Sequence, residues 1–183
     1  MKISRKKLLA CCLILCVNLC VIWGNSMVPG DLSGQMSQGV MAMLERIFRH
    51  PMFERLSAGF IELVNRMLGL TIPSHNVGGF LLRKTAHFAE FCWLGMNLCW
   101  LFVILEQKGI HRFAMPMLCG TLAACVDETI QLYSPGRASS LADVWIDISG
   151  VCTGIVLLLL AHNLFTKLRK SKNPKNHINY GGK

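Results

Sequence analysis

The sequence predicts an all-α integral membrane protein: a four-helix bundle with extracytoplasmic amphipathic helices between the first and second spans. Three observations predict it. Four apolar stretches are each long enough to cross a bilayer. Of the 183 residues, 52% are hydrophobic, and the mean hydropathy of +0.43 is too apolar for an ordinary soluble domain. The net charge of +9 crowds toward the two ends of the chain, where basic clusters border apolar spans.

A spanning helix needs about 20 residues at a rise of about 1.5 Å each. The first candidate, Leu8 to Val28, carries no charge. Its basic start and apolar run look like a signal peptide, but no A-x-A-like cleavage site follows, so an uncleaved first helix is expected. The second span, Thr85 to Leu105, holds His87 and Glu90; the third, Phe113 to Tyr133, holds Asp127 and Glu128; the fourth, Leu141 to Phe165, holds Asp143 and Asp147. Pro116 is expected in the first turn of the third span, which tolerates it. Between the first two spans, Met41, Leu44, Ile47 and Phe48 and then Phe53 to Met67 repeat at helical spacing, predicting two amphipathic helices. Thr71 to Gly79, with Pro73 and the Gly78-Gly79 pair, reads as a loop. The chain thus divides into a basic start and first span (1–30), an extracytoplasmic amphipathic region (31–82), a core of three spans (83–166) and a basic tail (167–183).

Orientation follows from the basic residues. Lys2, Arg5, Lys6 and Lys7, the link with Lys108 and Arg112, and the cluster Lys167 to Lys175 all favour the cytoplasmic side. Both termini are then cytoplasmic, in a plasma membrane. Counting down each helix puts Glu90, Asp127 and Asp147 at one depth, about 5–10 Å beneath the outer surface. A charge inside a membrane helix costs up to roughly 2.5–3.5 kcal/mol, so pairing or function must offset it. Arg83, His87 and Glu90 share a helix face, as do Asp127 with Gln131 and Asp143 with Asp147. Gly150 and Gly154 form a G-xxx-G pair that permits close helix approach.

The nine cysteines all fall inside apolar stretches, which argues against a disulfide framework and a paired-CxxC zinc site. Nucleic-acid binding is disfavoured, because the basic residues flank spans and no nucleic-acid motif is present. No P-loop, nucleophile elbow or H-E-x-x-H motif occurs.

Two stretches resemble a known family. Arg83-Lys84-Thr85-Ala86-His87-Phe88-Ala89-Glu90-Phe91 resembles the R-K-x-x-H-F-x-E-[YF] signature of VanZ-like membrane proteins. Asp127-Glu128-Thr129-Ile130-Gln131, Pro135-Gly136-Arg137, and Asp143 through Asp147 to Gly150 resemble that family's D-E-x-x-Q…P-G-R…D-x-x-x-D-x-x-G run. The resemblance implies a small bacterial membrane protein of the cell envelope, of a type common in Gram-positive organisms and named for low-level teicoplanin resistance. It implies no settled mechanism.

Four readings of the polar residues stay open. In the structural one, Lys84 or Arg83 pairs with Glu90, and Arg137 with Asp143 or Asp127, to hold the helices together. In the second, Lys84, Gln131, Arg137, Asp143 and Asp147 bind an envelope lipid or a lipid-linked cell-wall intermediate, with arginine suited to phosphate. In the third, His87, Glu90, Asp127 and Glu128 are catalytic candidates for general acid–base chemistry on such a lipid. A transporter, the fourth, would require an oligomer. The spacing assigns no cofactor and no metal ligand set; a divalent cation on the acidic groups is left open.

Overall fold

The computed structural model describes residues 5–47, 77–137 and 140–172, with 59, 62, 63 and 66 as isolated positions. These residues form five helices and no strand: α1 (Arg5–Met27), α2 (Gly30–Ile47), α3 (Val77–Ile104), α4 (His111–Tyr133) and α5 (Leu141–Lys172). Four of them, α1, α3 from Leu82, α4, and α5 as far as Arg169, are long and apolar enough to cross a membrane. The chain is an all-helical, multi-pass membrane protein.

Helix α3 is the hub and packs on each of the other four. Its closest partner is α5, and small residues explain the approach. A Cβ at Gly154 would run into the carbonyl of Cys92, and one at Gly150 would meet the Phe88 carbonyl. The G-xxx-G pair thus faces α3. Gly95 repays this from the other side, where a Cβ would strike the Val151 backbone. Phe91, Leu94, Cys99, Ala124, Val151 and Ile155 fill the core between the helices. The opposite faces stay apolar and exposed, as with Leu9, Leu13 and Val17 on α1 and Leu157, Leu160 and Leu164 on α5. Lipid solvates such faces; water would not. All nine cysteines are free.

Several boundaries differ from those expected. Helix α3 starts at Val77, so Gly78 and Gly79 lie in its first turn and not in a loop. Phe80, Leu81 and Leu82 continue the apolar run upstream of Thr85, and the glycine cost of about 1 kcal/mol each does not stop it. Helix α4 starts at His111, which puts Pro116 beyond the first turn. Pro116 has no N–H for the Arg112 carbonyl; that carbonyl instead accepts the Cys99 thiol at 3.8 Å. Helix α2 begins well ahead of Met41. Its Leu32, Met36, Val40 and Met43 form an exposed apolar stripe. Of the second amphipathic helix, expected over 53–67, only Gly59, Glu62, Leu63 and Arg66 are described, each helical; the upstream part of the expected loop, 71–76, lies outside the described residues.

Successive spans alternate in direction, so the C-terminal ends of α1 and α4 and the N-terminal ends of α3 and α5 meet at one end of the bundle. There the chain entering α2 docks on the turn before α5. The Gly30 N–H donates to the Pro135 carbonyl at 2.9 Å. A side chain at Gly30 would strike the Gly136 carbonyl, and Gly136 itself turns the chain at φ +70°.

Candidate functional site

Each span delivers one polar stripe to this end. Helix α3 contributes Lys84, His87 and Glu90, about one turn apart. Helix α4 contributes Asp127, Glu128 and Gln131, all buried. Helix α5 contributes Asp143 and Asp147 from its first two turns. Helix α1, uncharged beyond Lys7, contributes Asn25 and Ser26.

At the centre stand His87, Asp127 and Asp147. Asp127 is 0% exposed and Asp147 1%. His87 Nδ1 lies 3.9 Å from Asp127 Oδ2 and 4.0 Å from Asp147 Oδ1. Asp127 is held on both oxygens. Its Oδ1 accepts the Ser26 hydroxyl at 2.6 Å, and its Oδ2 accepts the Gln131 amide at 2.8 Å. Asp147 is different: neither carboxylate oxygen has a hydrogen-bond donor among the described residues, and His87 Nδ1 is likewise without a partner.

The remaining candidates are spread around this centre. Lys84 forms an ion pair with Asp143, joining α3 to α5. Glu128 Oε1 accepts the backbone N–H of Ser140, the residue before α5 begins, so Glu128 holds the start of that helix. Glu90 accepts the Asn25 amide at 2.6 Å and lines, with His87, a neighbouring cleft. Arg137 donates from Nε to the Val28 carbonyl at 3.0 Å and from Nη2 to the Asn25 carbonyl at 2.9 Å. These bonds satisfy carbonyls that the end of α1 leaves without helical donors.

The expected ion pairs therefore rearrange. Lys84 pairs with Asp143, whereas Glu90, six residues on, points about 120° away from Lys84 around the helix. Arg137 caps α1 and does not bond Asp143 or Asp127. The α1 residues Asn25 and Ser26 were absent from the sequence-based set. Their signal was faint: Asn18, Ile22 and Ser26 follow every-fourth spacing on a stripe that also buries Cys11 and Leu15.

A cavity of about 280 Å³ opens on this cluster, lined by Arg83, Lys84, His87, Gln131, Arg137, Asp143 and Asp147 among others. Arg83 and Arg137 are close enough to repel. Burial first, and then Arg83, push the Arg137 guanidinium below the usual arginine range, while Asp127, Glu128 and Glu90 pull it back. A second cleft of about 320 Å³ runs between α2 and α3, past Ser33, Met36, Ser37 and Glu90, and shares Arg83, His87 and Arg137 with the first.

The architecture defines a class: a membrane-embedded helical bundle with a charged pocket buried at one end. The family follows from comparison. Residues 10–162 match the family model VanZ/LLP1. The chain belongs to the VanZ/LLP1 family, and the match takes in all of α4, most of α1 and α5, and every site residue named above. No curated protein and no solved structure matches it.

Proposed function

We propose that this protein works in the bacterial cell envelope by holding the anionic head of an envelope lipid, or of a lipid-linked cell-wall intermediate, in the polar cavity. One observation carries the reading. Arg83 and Arg137 converge on a cavity of about 280 Å³ and repel each other there. Both are half-buried. A phosphate between them relieves that repulsion, and guanidinium groups match phosphate oxygens two at a time. Gln131, Asp143 and Asp147 supply hydrogen-bonding groups for the sugar or peptide part of such a head.

The basic residues at the other end of the bundle support an outward-facing cavity. Arg5, Lys6 and Lys7 begin α1, Lys108 and Arg112 border the α3–α4 turn, and Lys167 and Arg169 end α5. By the positive-inside rule that end is cytoplasmic, both termini with it, and the cavity meets the outer leaflet of the plasma membrane. Occupying or altering a surface-exposed intermediate there lowers susceptibility to teicoplanin and related lipoglycopeptides.

The test is teicoplanin susceptibility of a Gram-positive host carrying empty vector, wild type or Arg83→Gln, at matched membrane abundance. Protection by wild type that disappears in Arg83→Gln supports the reading. A well-expressed wild type that protects no better than empty vector overturns the resistance role.

A second reading rests on the triad. An imidazole nitrogen within about 4 Å of two buried carboxylates is a general-base arrangement. In that reading the protein is an intramembrane hydrolase or transferase that acts on the same lipid head. Catalytic turnover of a phosphate-bearing lipid by wild type, absent in His87→Gln of equal fold, distinguishes it from binding alone.

A further inference from the structure

We propose that His87, Asp127 and Asp147 form a binding site for one divalent transition cation, such as Mn²⁺ or Zn²⁺. The donor atoms of the three residues all lie within 4.8 Å of one another. Ligands of a single ion bound at about 2.0–2.2 Å stand roughly 3–3.5 Å apart, so a modest inward movement brings all three onto one centre. The donor set is one imidazole nitrogen and carboxylate oxygens, which suits this class of ion; an all-oxygen set would point to Ca²⁺ or Mg²⁺ instead.

The second observation is Asp147 itself. It is 1% exposed, and neither oxygen has a donor among the described residues. A carboxylate buried this deeply requires a partner, and the nearest candidates are otherwise engaged. Lys84 pairs with Asp143, and Arg137 donates its Nε–H and one Nη2–H to carbonyls at the end of α1. His87 Nδ1 also lacks a partner and lies 4.0 Å from Asp147 Oδ1. Two unpartnered donors thus face a common gap. A doubly charged cation there balances the two buried carboxylates.

Asp127 is prepared for the role. Ser26 and Gln131 fix the plane of its carboxylate and leave lone pairs on both oxygens, as outer hydrogen bonds do around metal ligands. His87 and Asp147 line the polar cavity, so further coordination positions open toward it. The site does not depend on the headgroup reading, since its ligands come from the protein alone.

The test is isothermal titration of Mn²⁺ and of Zn²⁺ into the full-length protein in lipid-free detergent, after stripping with EDTA. Melting temperature is followed in parallel. Wild type is expected to bind one equivalent and to melt higher when loaded. Asp147→Asn and His87→Gln, both near-isosteric, are expected to bind at least about tenfold more weakly. Glu106→Gln, at the opposite end of the bundle, should bind as wild type. No one-to-one binding by wild type overturns the proposal, as does unchanged affinity in Asp147→Asn and His87→Gln. Teicoplanin protection lost in Arg83→Gln while cation binding persists would separate the headgroup reading from the metal site.

Discussion

The Ser26 hydroxyl donates to Asp127 Oδ1 across 2.6 Å, and so ties the uncharged first span to the most deeply buried carboxylate of the third. Ser134 reinforces the junction by donating to the Ser26 carbonyl at 2.7 Å. Both faces of Ser26 are thereby engaged, and the residue is 0% exposed. In a bundle whose helices are otherwise solvated by lipid, such contacts help to fix the rotation of α1 against α4.

Replacing Ser26 with alanine removes one of the two donors that Asp127 Oδ1 and Oδ2 receive. A buried acceptor that loses its partner costs about 1–3 kcal/mol. Ser26→Ala is expected to lower the melting temperature in detergent. In a double-mutant cycle, Ser26→Ala should cost less in the Asp127→Asn background than in wild type. Additive losses would mean that the 2.6 Å contact carries no coupling.

The spans were legible because each is a long apolar run, and length together with apolarity decides whether a helix can cross a bilayer. The site was legible in its α4 and α5 parts: Asp127 with Gln131, and Asp143 with Asp147, stand four apart, and a polar stripe in an apolar helix must face the interior. Counting from the helix ends brought Glu90 to the same depth, whereas it is His87, one turn away on the same helix, that meets Asp127 and Asp147. What spacing along one helix does not specify is how neighbouring helices are rotated. That is why Lys84 meets Asp143 rather than Glu90, and why Arg137 turns to the end of α1. Asn25 and Ser26 were illegible for another reason. Small neutral polar residues are tolerated anywhere in a span, so their sequence signal is weak until a partner such as Asp127 or Glu90 is in view. Glu128 shows the same limit: its bond to the Ser140 N–H depends on how the turn before α5 folds back.

Close approach of α5 to α3 depends on Gly154. Its missing side chain leaves room for the Cys92 carbonyl, a backbone atom that cannot swing aside. Gly154→Ala is therefore expected to force the helices apart at a cost of about 1–3 kcal/mol, read as a lower melting temperature. Gly24→Ala, where nothing lies within 4 Å of the added carbon, should leave stability unchanged or raise it by up to about 1 kcal/mol. Equal melting temperatures for the two variants would remove close packing as the reason for glycine at 154.

The Lys84–Asp143 ion pair joins α3 to α5 at the mouth of the cavity, with the two side chains 25% and 18% exposed. Such partial exposure lets water screen the pair, so its worth is expected near 1 kcal/mol and not at the level of a dry pair. Lys84→Asp alone sets two carboxylates against each other, and Asp143→Lys alone sets two ammonium groups together. The exchanged double variant, Lys84→Asp with Asp143→Lys, should recover most of the melting temperature that either single change loses. Recovery of stability without recovery of teicoplanin tolerance would show that the lysine serves the headgroup as well as the helix. Failure to recover either would mean that the geometry at one partner forbids the exchange.

The last prediction concerns which way the cavity faces. The site end of the bundle carries Lys84, Arg83 and Arg137, but Lys84 is paired with Asp143 and Arg137 lies within the field of Asp127, Glu128 and Glu90, so much of that positive charge is balanced locally. At the other end Arg5, Lys6 and Lys7 and then Lys167 and Arg169 flank the spans of α1 and α5, where they meet anionic headgroups at about 1 kcal/mol each. The balance favours a cytoplasmic location for that end. Green fluorescent protein fused after Lys183 should fluoresce, whereas alkaline phosphatase fused there should stay inactive. A cysteine at Pro135, in the turn beside the cavity, should react with a membrane-impermeant maleimide added to intact cells, in a background where the exposed native cysteines are serine. Labelling only after lysis, together with phosphatase activity at the C-terminus, would invert the protein. The same cavity would then face the cytoplasmic leaflet, and surface-exposed cell-wall intermediates would be out of its reach.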